Sequence, residues 1–248
     1  MKIFGLVGYP LSHSFSPFIF QKIFEREKIT GCVYQLFELK ELNGIRDFLI
    51  QHSEIAGLNI TIPYKQQIID FLDEKDEIAE QTGAVNTVKI FRQGKIIYLK
   101  GYNTDVTGFE QSLRDFVPPD ISHALILGNG GAAKAVQYVF KKMNINYLII
   151  SRKKTENSLR YTDLNKDIFD KYHLIINCTP LGMFPNTDSF PEIPYHFLNK
   201  RHFLFDMVYN PEETLFLLKG KKMGCQTMNG MKMLEKQAFE SFRIWFGI

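Results

Sequence analysis

The chain has 248 residues, enough for two modest domains or one large domain. Hydrophobic residues make up 45% and charged residues 23% of it, a balance typical of folded globular proteins and not of disordered chains. The net charge of +3 is too small and too dispersed to indicate nucleic acid or a membrane surface as a partner.

The first apolar run and the cysteines indicate the cellular setting. That run is too short for the core of a signal peptide and ends in a turn at Pro10, and no stretch approaches the length of a membrane span. Cys32, Cys178 and Cys225 are odd in number and lack the spacing of metal ligands. We therefore expect a cytoplasmic monomer or homodimer that holds no metal and binds small molecules, without nucleic-acid or membrane partners.

The first part of the chain alternates short strand-like runs with helical ones. Helical spacing of apolar residues occurs at 16–28, 40–51 and 64–71. Strands are predicted at 3–7, 32–37 and 56–60, followed by a hairpin of 85–91 and 95–99. Alternation of this kind predicts an open α/β sheet whose strands are mostly parallel.

The same alternation restarts near Thr104, which places a domain boundary there. Helices are predicted at 105–116, 132–143 and 231–246, and strands at 123–127, 147–150, 174–177 and 203–207. The pattern leaves open which domain holds the last helix.

A glycine-rich turn links the strand at 123–127 to the helix after it. Glycines permit a tight turn and let backbone N–H groups approach a pyrophosphate, whose charge a helix N-terminus favours. Such turns also close ordinary βα units, but the strand before and the alanine-rich helix after favour a dinucleotide site. Its residues are Gly128, Asn129, Gly130, Gly131 and Ala132.

The next strand indicates which dinucleotide is bound. A site for NAD usually has an acidic residue about 20 positions after the glycines. Here the strand ends in Ser151, Arg152, Lys153 and Lys154, with no acid. A guanidinium can bind a 2′-phosphate through two parallel hydrogen bonds, and lysine adds positive charge. A solvated basic loop is the alternative, but the position after the glycine turn favours NADP.

Polar residues cluster at predicted strand ends in the first part of the chain, where open α/β sheets bind ligands. Hydroxyls, amides, one amine and one carboxylate suit a small ligand with several hydroxyls and a carboxylate. Taken singly, each has a structural alternative, because serine and aspartate cap helices and asparagine forms turns. The residues are Ser14, Ser16, Asn59, Thr61, Lys65, Asn86, Thr104 and Asp105.

Seven segments, in order along nearly the whole chain, resemble the shikimate dehydrogenase family. They are GYPLSHSFSP at 8–17, which includes His13, LNITIPYK at 58–65, GAVNT at 83–87, NTD at 103–105, NCTPLGM at 177–183, DMVYNP at 206–211, and NG at 229–230 with the ML and QA pairs that follow it.

The resemblance implies a role for each matching residue. Lys65 and Asp105 correspond to a catalytic pair that also contacts the substrate, and Ser14 and Ser16 to serines that bind the substrate carboxylate. Further implied contacts are with ring hydroxyls and with the cofactor. Asn59, Thr61, Asn86 and Gln237 correspond to hydroxyl-binding positions, Tyr209 to a tyrosine near the substrate, Thr179 to the cofactor-side loop, and Gly230 to the nicotinamide end.

The resemblance also implies the architecture and the reaction. It implies a substrate domain with an open α/β sheet, formed by 1–104 and 230–248. It also implies a Rossmann-type NADP-binding domain of 105–229, with a cleft between the two domains. NADP-dependent interconversion of 3-dehydroshikimate and shikimate, a step of aromatic amino acid biosynthesis, is the expected activity. A quinate or shikimate dehydrogenase with relaxed substrate or cofactor choice is one alternative, and a non-catalytic dinucleotide-binding regulator is another.

Overall fold

The computed structural model describes residues 1–12, 14–153 and 155–248, so His13 and Lys154 lie outside the described residues. The chain forms two compact units, Met1–Gly108 with Glu235–Ile248, and Phe109–Leu234. These divisions fall a few residues after the domain limits of 104 and 230 predicted from the sequence.

The first unit consists of a six-stranded sheet with short helices. Its elements are β1 (Lys2–Gly8), α1 (Ser16–Arg26), β2 (Cys32–Glu38), α2 (Ile45–Gln51), β3 (Ile55–Ile60), a 3₁₀ helix (Gln67–Phe71), β4 (Glu74–Lys75), α3 (Glu77–Thr82), β5 (Thr87–Gln93), β6 (Ile96–Tyr102) and the start of α4 (Thr104–Phe116).

The second unit continues from α4 with a second six-stranded sheet. Its elements are β7 (His123–Leu127), α5 (Gly131–Lys142), β8 (Asn146–Ser151), β9 (Leu159–Arg160), a 3₁₀ helix (Tyr161–Asp163), α6 (Lys166–Lys171), β10 (Leu174–Asn177), a 3₁₀ helix (Tyr195–Phe197), β11 (Phe203–Asp206), α7 (Leu215–Lys222), β12 (Gln226–Met228) and the start of α8 (Met231–Phe246).

The first sheet has the order β2-β1-β3-β5-β6-β4. β1 runs parallel to β2 and β3, and β4 runs parallel to β6, whereas β5 is antiparallel to both β3 and β6. Because β5 is antiparallel, its first residues lie at the same sheet edge as the last residues of β1, β3 and β6. The segments that follow β1, β3 and β6 and the one that precedes β5 therefore lie at the same end of the strands. These segments hold the predicted substrate residues of the first unit other than Asn59, which lies at the end of β3 itself, and Gln237, which belongs to α8.

The second sheet is parallel throughout, in the order β12-β11-β10-β7-β8-β9. After β7 the chain moves to one side through β8, and it returns to the other side at β10. This reversal is the topological switch point at which open α/β sheets bind ligands outside the carboxyl ends of their strands. The Rossmann-type α/β fold expected from the sequence is confirmed.

Helix α8 returns to the first unit, where one of its faces packs on the first sheet. Gln237, Ser241 and Trp245 are four residues apart and so lie on one face of the helix. The Trp245 indole donates to the carbonyl oxygen of Val88 at 3.0 Å. It also fills the space above Gly57, where an added Cβ would lie 2.4 Å from Nε1 of the indole. A glycine in β3 therefore sets how closely this helix approaches.

Several elements differ from the predicted ones. The segment predicted as a helix at 64–71 forms only the 3₁₀ helix, because the Tyr64 side chain turns into the core and its hydroxyl donates to the Leu39 carbonyl. The helix predicted from residue 40 begins at Ile45, after Gly44 with a φ of 77°. The short elements β4, α3, β9, α6, α7 and β12 were not predicted. Across the described ranges, none of the helices has both the length and the apolar character needed to cross a membrane.

Candidate functional site

Lys65 and Asp105 form a direct ion pair in the first unit. The Lys65 ammonium nitrogen lies 2.7 Å from Oδ2 of Asp105, and the two side chains are 29% and 16% exposed. Partial burial reduces the screening that makes most surface ion pairs weak. The amine and the carboxylate therefore act as one unit, while part of the lysine side chain stays accessible to a ligand.

The chain before Lys65 fixes the position of this lysine. Thr61 follows β3, and its backbone N–H donates to the Val7 carbonyl at 2.9 Å. Tyr64 is buried and anchored in the core, and the Lys65 carbonyl accepts from the Val85 N–H at 2.7 Å. Backbone bonds on both sides of the lysine therefore leave only its side chain free to move.

Asp105 lies in the first turn of α4, next to the residue that caps it. The Asn103 side chain accepts from the Val106 N–H at 3.3 Å and donates to the Thr82 hydroxyl and the Ala84 carbonyl. A helix N-terminus stabilises a nearby negative charge. The cap therefore belongs to Asn103, and the Asp105 carboxylate is available for Lys65.

Asn86 connects Asp105 to the rest of the site. Its Nδ2 lies 2.9 Å from Oδ1 of Asp105 and from the Thr104 hydroxyl and 3.3 Å from Oε1 of Gln237, so its two hydrogens are shared among three acceptors. Its Oδ1 accepts from the Thr104 backbone N–H at 2.7 Å. Asn86 is only 3% exposed, so these bonds form in a region of low dielectric, where each is strengthened.

Asn59 extends the same network toward α8. Its Nδ2 has three acceptors within 3.1 Å, namely the Asn86 carbonyl and the hydroxyls of Thr87 and Ser241. Thr87 and Ser241 are fully buried, and their hydroxyls lie 2.7 Å apart. Thr87 belongs to the GAVNT motif, in which no role of its own was predicted for it. Ser241 was not predicted as part of the site, because it reaches Asn59 only through tertiary packing.

Ser14 and Ser16 lie where the chain leaves β1 and enters α1. The Ser14 hydroxyl accepts from the Ser16 backbone N–H at 3.3 Å, and the Ser16 side chain is buried. Phe15 occupies the N-cap position of α1, which has no side-chain cap. The Ser14 hydroxyl thus lies beside the backbone of Ser16 at the start of a helix, and Ser16 does not act as its cap.

The glycine turn of the second unit has the shape expected for a phosphate-binding turn. Gly128 has a φ of +99°, and Gly130 precedes the first residue of α5. An added Cβ at Gly130 or Gly131 would meet no atom within 4 Å. Helix α5 has no acidic residue in its first turn and no side-chain cap. Its first N–H groups are therefore open to an anion, which fits the pyrophosphate of a dinucleotide.

The basic segment after β8 is exposed, as a 2′-phosphate site requires. Arg152 and Lys153 are both exposed, and Ser151 is half-buried at the strand end. The Ser151 hydroxyl donates to the Lys153 carbonyl and lies 3.0 Å from the buried Ser158 hydroxyl. These bonds close the loop on itself and leave the two cationic side chains toward solvent.

Thr179 lies beside the glycine turn and is held by a buried acid. An added Cβ at Gly128 would lie 2.9 Å from the Thr179 methyl group. The Thr179 hydroxyl donates to Oδ1 of Asn177 at 2.6 Å, and Asn177 donates to Oδ1 of Asp206 at 2.9 Å. Burial raises the pKa of Asp206 to about 6. Asn177 and Asp206 belong to the NCTPLGM and DMVYNP motifs, but their role in supporting Thr179 is visible only in the structure.

Gly230 and Tyr209 also lie on the second unit. An added Cβ at Gly230 would lie 2.3 Å from the Met207 carbonyl oxygen, and the Gly230 N–H donates to the Val208 carbonyl. The backbone of residue 230 thus lies so close to the Met207 carbonyl that only glycine fits there. Burial raises the pKa of Tyr209, so its phenol remains protonated at neutral pH.

The predicted substrate residues thus divide between the units. The first unit joins Lys65, Asp105, Asn86, Asn59 and Gln237 in one hydrogen-bonded network and holds Ser14, Ser16 and Thr61, whereas Tyr209 belongs to the second.

Among residues 1–12, 14–153 and 155–248, no group of three or more His, Cys, Asp or Glu side chains could hold a metal ion.

Comparisons with known proteins agree with this geometry. Residues 6–88 match the family described as the shikimate dehydrogenase substrate binding domain. A protein of Methanococcus maripaludis strain C6 named shikimate dehydrogenase (NADP(+)) is 40% identical over 265 residues, which cover 99% of this chain and 92% of the relative.

Solved structures match along the whole chain. A crystal structure of a shikimate dehydrogenase in complex with NADP⁺ has a TM-score of 0.86 and 33% identity, covering 100% of this chain and 91% of that one. A quinate dehydrogenase of Corynebacterium glutamicum in complex with NAD also has a TM-score of 0.86, at 27% identity, covering 100% and 94%. From its full-length identity to such enzymes, the chain belongs to the shikimate dehydrogenase family.

Proposed function

We propose that this protein is an NADP-dependent shikimate dehydrogenase, which reversibly reduces 3-dehydroshikimate to shikimate in aromatic amino acid biosynthesis. The observation that carries the proposal is the ion pair between Lys65 and Asp105, in which Asn86 holds the carboxylate. Lys65 and Asn86 both lie within the matched residues 6–88. An amine paired with a carboxylate, next to buried amides and hydroxyls, suits a proton transfer on a polyhydroxylated ring.

The proposed chemistry divides between cofactor and protein. Reduction of the ketone adds a hydride to carbon and a proton to oxygen; bound NADPH would supply the hydride, and NADP⁺ would accept it in the oxidative direction. The Lys65 ammonium donates its proton to the developing alkoxide, and the neutral amine takes it back in the oxidative direction. Asp105 holds the Lys65 nitrogen in line and stabilises its charged form through the 2.7 Å contact.

The proposed substrate contacts follow from the chemistry of the side chains. The hydroxyls of Ser14 and Ser16, two neighbouring serines at the start of α1, would donate to the substrate carboxylate. The ring hydroxyls would bind to the amide network and to Thr61 and Tyr209. In that network Asn59, Asn86 and Gln237 share bonds with the catalytic pair, so they would align the reacting hydroxyl with Lys65.

The proposed cofactor site uses the open turn and the exposed cations of the second unit. The backbone from Gly128 to Ala132 would bind the pyrophosphate, and Thr179 borders that turn. Ser151, Arg152 and Lys153 would bind the 2′-phosphate that distinguishes NADP from NAD. Gly230 would allow a close backbone approach at the nicotinamide end. The proposed domains, 1–104 with 230–248 for substrate and 105–229 for NADP, follow the same division of roles.

The setting of the enzyme is also a proposal. The three cysteines are all free, which suits a reducing cytoplasm. We propose a monomer or a homodimer.

One assay tests the proposed activity against its alternatives. Purified protein is given shikimate or quinate with NADP or NAD, and formation of the reduced nicotinamide is followed by its near-ultraviolet absorbance. We expect the highest kcat/KM with shikimate and NADP. Preference for quinate with NAD would identify the alternative dehydrogenase, and the absence of turnover with every pair would favour a non-catalytic regulator.

A further inference from the structure

We propose that Tyr34 is a positioning residue for substrate binding, which fixes the Asn59 amide so that its oxygen accepts from a ring hydroxyl. The inference rests on the proposed function and adds a residue that touches neither cofactor nor reacting atoms. Tyr34 lies in β2, at the edge of the first sheet, and its sequence context gives no sign of a role in the site.

The Tyr34 hydroxyl reaches Asn59 across the intervening strand β1. Tyr34 pairs with Phe4 of β1, which in turn pairs with Gly57 of β3, so the three residues form one row across the sheet. Asn59 is two residues beyond Gly57 and therefore points to the same face of β3. The Tyr34 hydroxyl donates to Oδ1 of Asn59 at 2.8 Å.

The other contacts of Asn59 determine what it can offer a ligand. Three acceptors surround its Nδ2, and an amide nitrogen has only two hydrogens, so both are used within the protein. Its Oδ1 has two lone pairs, of which the Tyr34 hydroxyl uses one. The single remaining group is the second lone pair of Oδ1, and a substrate hydroxyl must donate to it.

The Tyr34 hydroxyl is a permanent donor in this position. Burial raises the pKa of the phenol well above its ordinary value, and this effect outweighs the opposing influence of the Ser16 side chain. The ring is held by stacking on Phe20, with centroids 4.1 Å apart and an interplanar angle of 6°. The Asn86 carbonyl, which can only accept, lies 3.1 Å from Nδ2 of Asn59, so the flipped amide would place two acceptors against each other. The carbonyl on one side and the Tyr34 hydroxyl on the other therefore fix the amide with its oxygen toward the phenol.

Tyr34 also interacts with Ser16, so it lies between the proposed carboxylate-binding serine and the proposed hydroxyl-binding Asn59. The Ser16 side chain acts on the same phenol that donates to Asn59. The proposed carboxylate-binding serine and the proposed hydroxyl-binding asparagine thus share one neighbour.

The variant Tyr34→Phe tests this role because it removes only the hydroxyl and keeps the stacked ring. We expect the KM for shikimate to rise about tenfold, the effect of losing one hydrogen bond worth about 1.4 kcal/mol, while kcat stays within about twofold. The matched control is Tyr98→Phe, because the Tyr98 hydroxyl donates to Glu74 at an exposed position of the same sheet. We expect this control to leave KM unchanged.

A double-mutant cycle separates a positioning role from a general loss of stability. If Tyr34 acts through Asn59, Tyr34→Phe should have no further effect on KM once Asn59 is replaced by alanine. Asn59→Ser is the second background, in case the alanine variant does not fold. Additive effects in the cycle, or a normal KM for Tyr34→Phe, would overturn the inference while leaving the proposed function intact. A wild-type protein that neither binds nor oxidises shikimate would overturn both.

Discussion

The Lys65 ammonium and the Asn86 amide bind different oxygens of the same Asp105 carboxylate, at 2.7 and 2.9 Å. This arrangement fixes the plane of the carboxylate as well as its position. Lys65 is thereby connected through Asp105 and Asn86 to Asn59, and the charge of the amine is tied to residues that are almost completely buried. A substitution at any of these side chains should therefore affect how the Lys65 amine is held.

We expect Asp105→Asn to lower kcat by about two orders of magnitude or more, with a smaller effect on the KM for shikimate. The amide has no charge to hold the ammonium, and its NH₂ group would replace one carboxylate oxygen and so face the donor of either Lys65 or Asn86. Steady-state kinetics with shikimate and NADP measure the effect. The control is Glu110→Gln on the same helix, whose carboxylate pairs with Lys142 and Arg114. Wild-type turnover in Asp105→Asn would contradict the role given to this carboxylate.

Arg152→Ala should raise the KM for NADP by about ten- to a hundredfold, the effect of losing charge-assisted bonds worth about 1.5–3 kcal/mol, and should change that for NAD far less. The reason is that only NADP has the 2′-phosphate. Kinetics with both cofactors at saturating shikimate check it. Arg201→Ala is the control, because this exposed arginine precedes β11 and so lies at the opposite end of the parallel strands. Equal increases for both cofactors would refute the assignment.

Two glycine variants should separate a packing requirement from a ligand requirement. Gly230→Ala would push a methyl group into the Met207 carbonyl and should lower the free energy of unfolding by about 1–3 kcal/mol. Gly130→Ala meets no protein atom and has a φ of −91°, so it should fold normally and lose affinity for NADP. Urea unfolding and NADP titration of both variants are the measurements. A Gly130→Ala protein with full NADP affinity would count against the proposed phosphate turn.

Asp206→Asn should remove part of the pH dependence of stability. Burial raises the pKa of Asp206 from 3.8 to about 6, so between about pH 4 and 6 the folded state holds this proton and the unfolded state does not. Stability is therefore greatest below pH 4 for this group and is lost as the pH rises through 6, by about 3 kcal/mol. Urea unfolding from pH 4 to 7 should show the variant gaining stability relative to wild type as the pH rises. Parallel profiles would show that the carboxylate is ionised without cost.

The sequence predicted what depends on neighbouring residues in the chain. The strand, turn and helix from β7 to α5 follow one another directly, so the glycines between them could be assigned before the fold was known. Lys65 and Asp105 are forty residues apart and could be paired only through the family resemblance.

Residues that reach the site through tertiary packing could not be predicted. Ser241 enters through a face of α8 that looks like an ordinary core stripe, and Tyr34 acts across a neighbouring strand. The segment at 64–71 was predicted as a helix from its spacing of apolar residues. It is shortened because the Tyr64 hydroxyl binds the distant Leu39 carbonyl, and such long-range bonds override local periodicity.

The most direct test of the account compares chemistry with binding in Lys65→Ala. Turnover with shikimate and NADP is measured beside the dissociation constant for shikimate from calorimetry, with Lys95→Ala at the exposed hairpin as the control. We predict that kcat falls by about two to four orders of magnitude while the dissociation constant changes little. A Lys65→Ala protein that turns over shikimate at nearly the wild-type rate would contradict the assignment of the proton transfer to this amine.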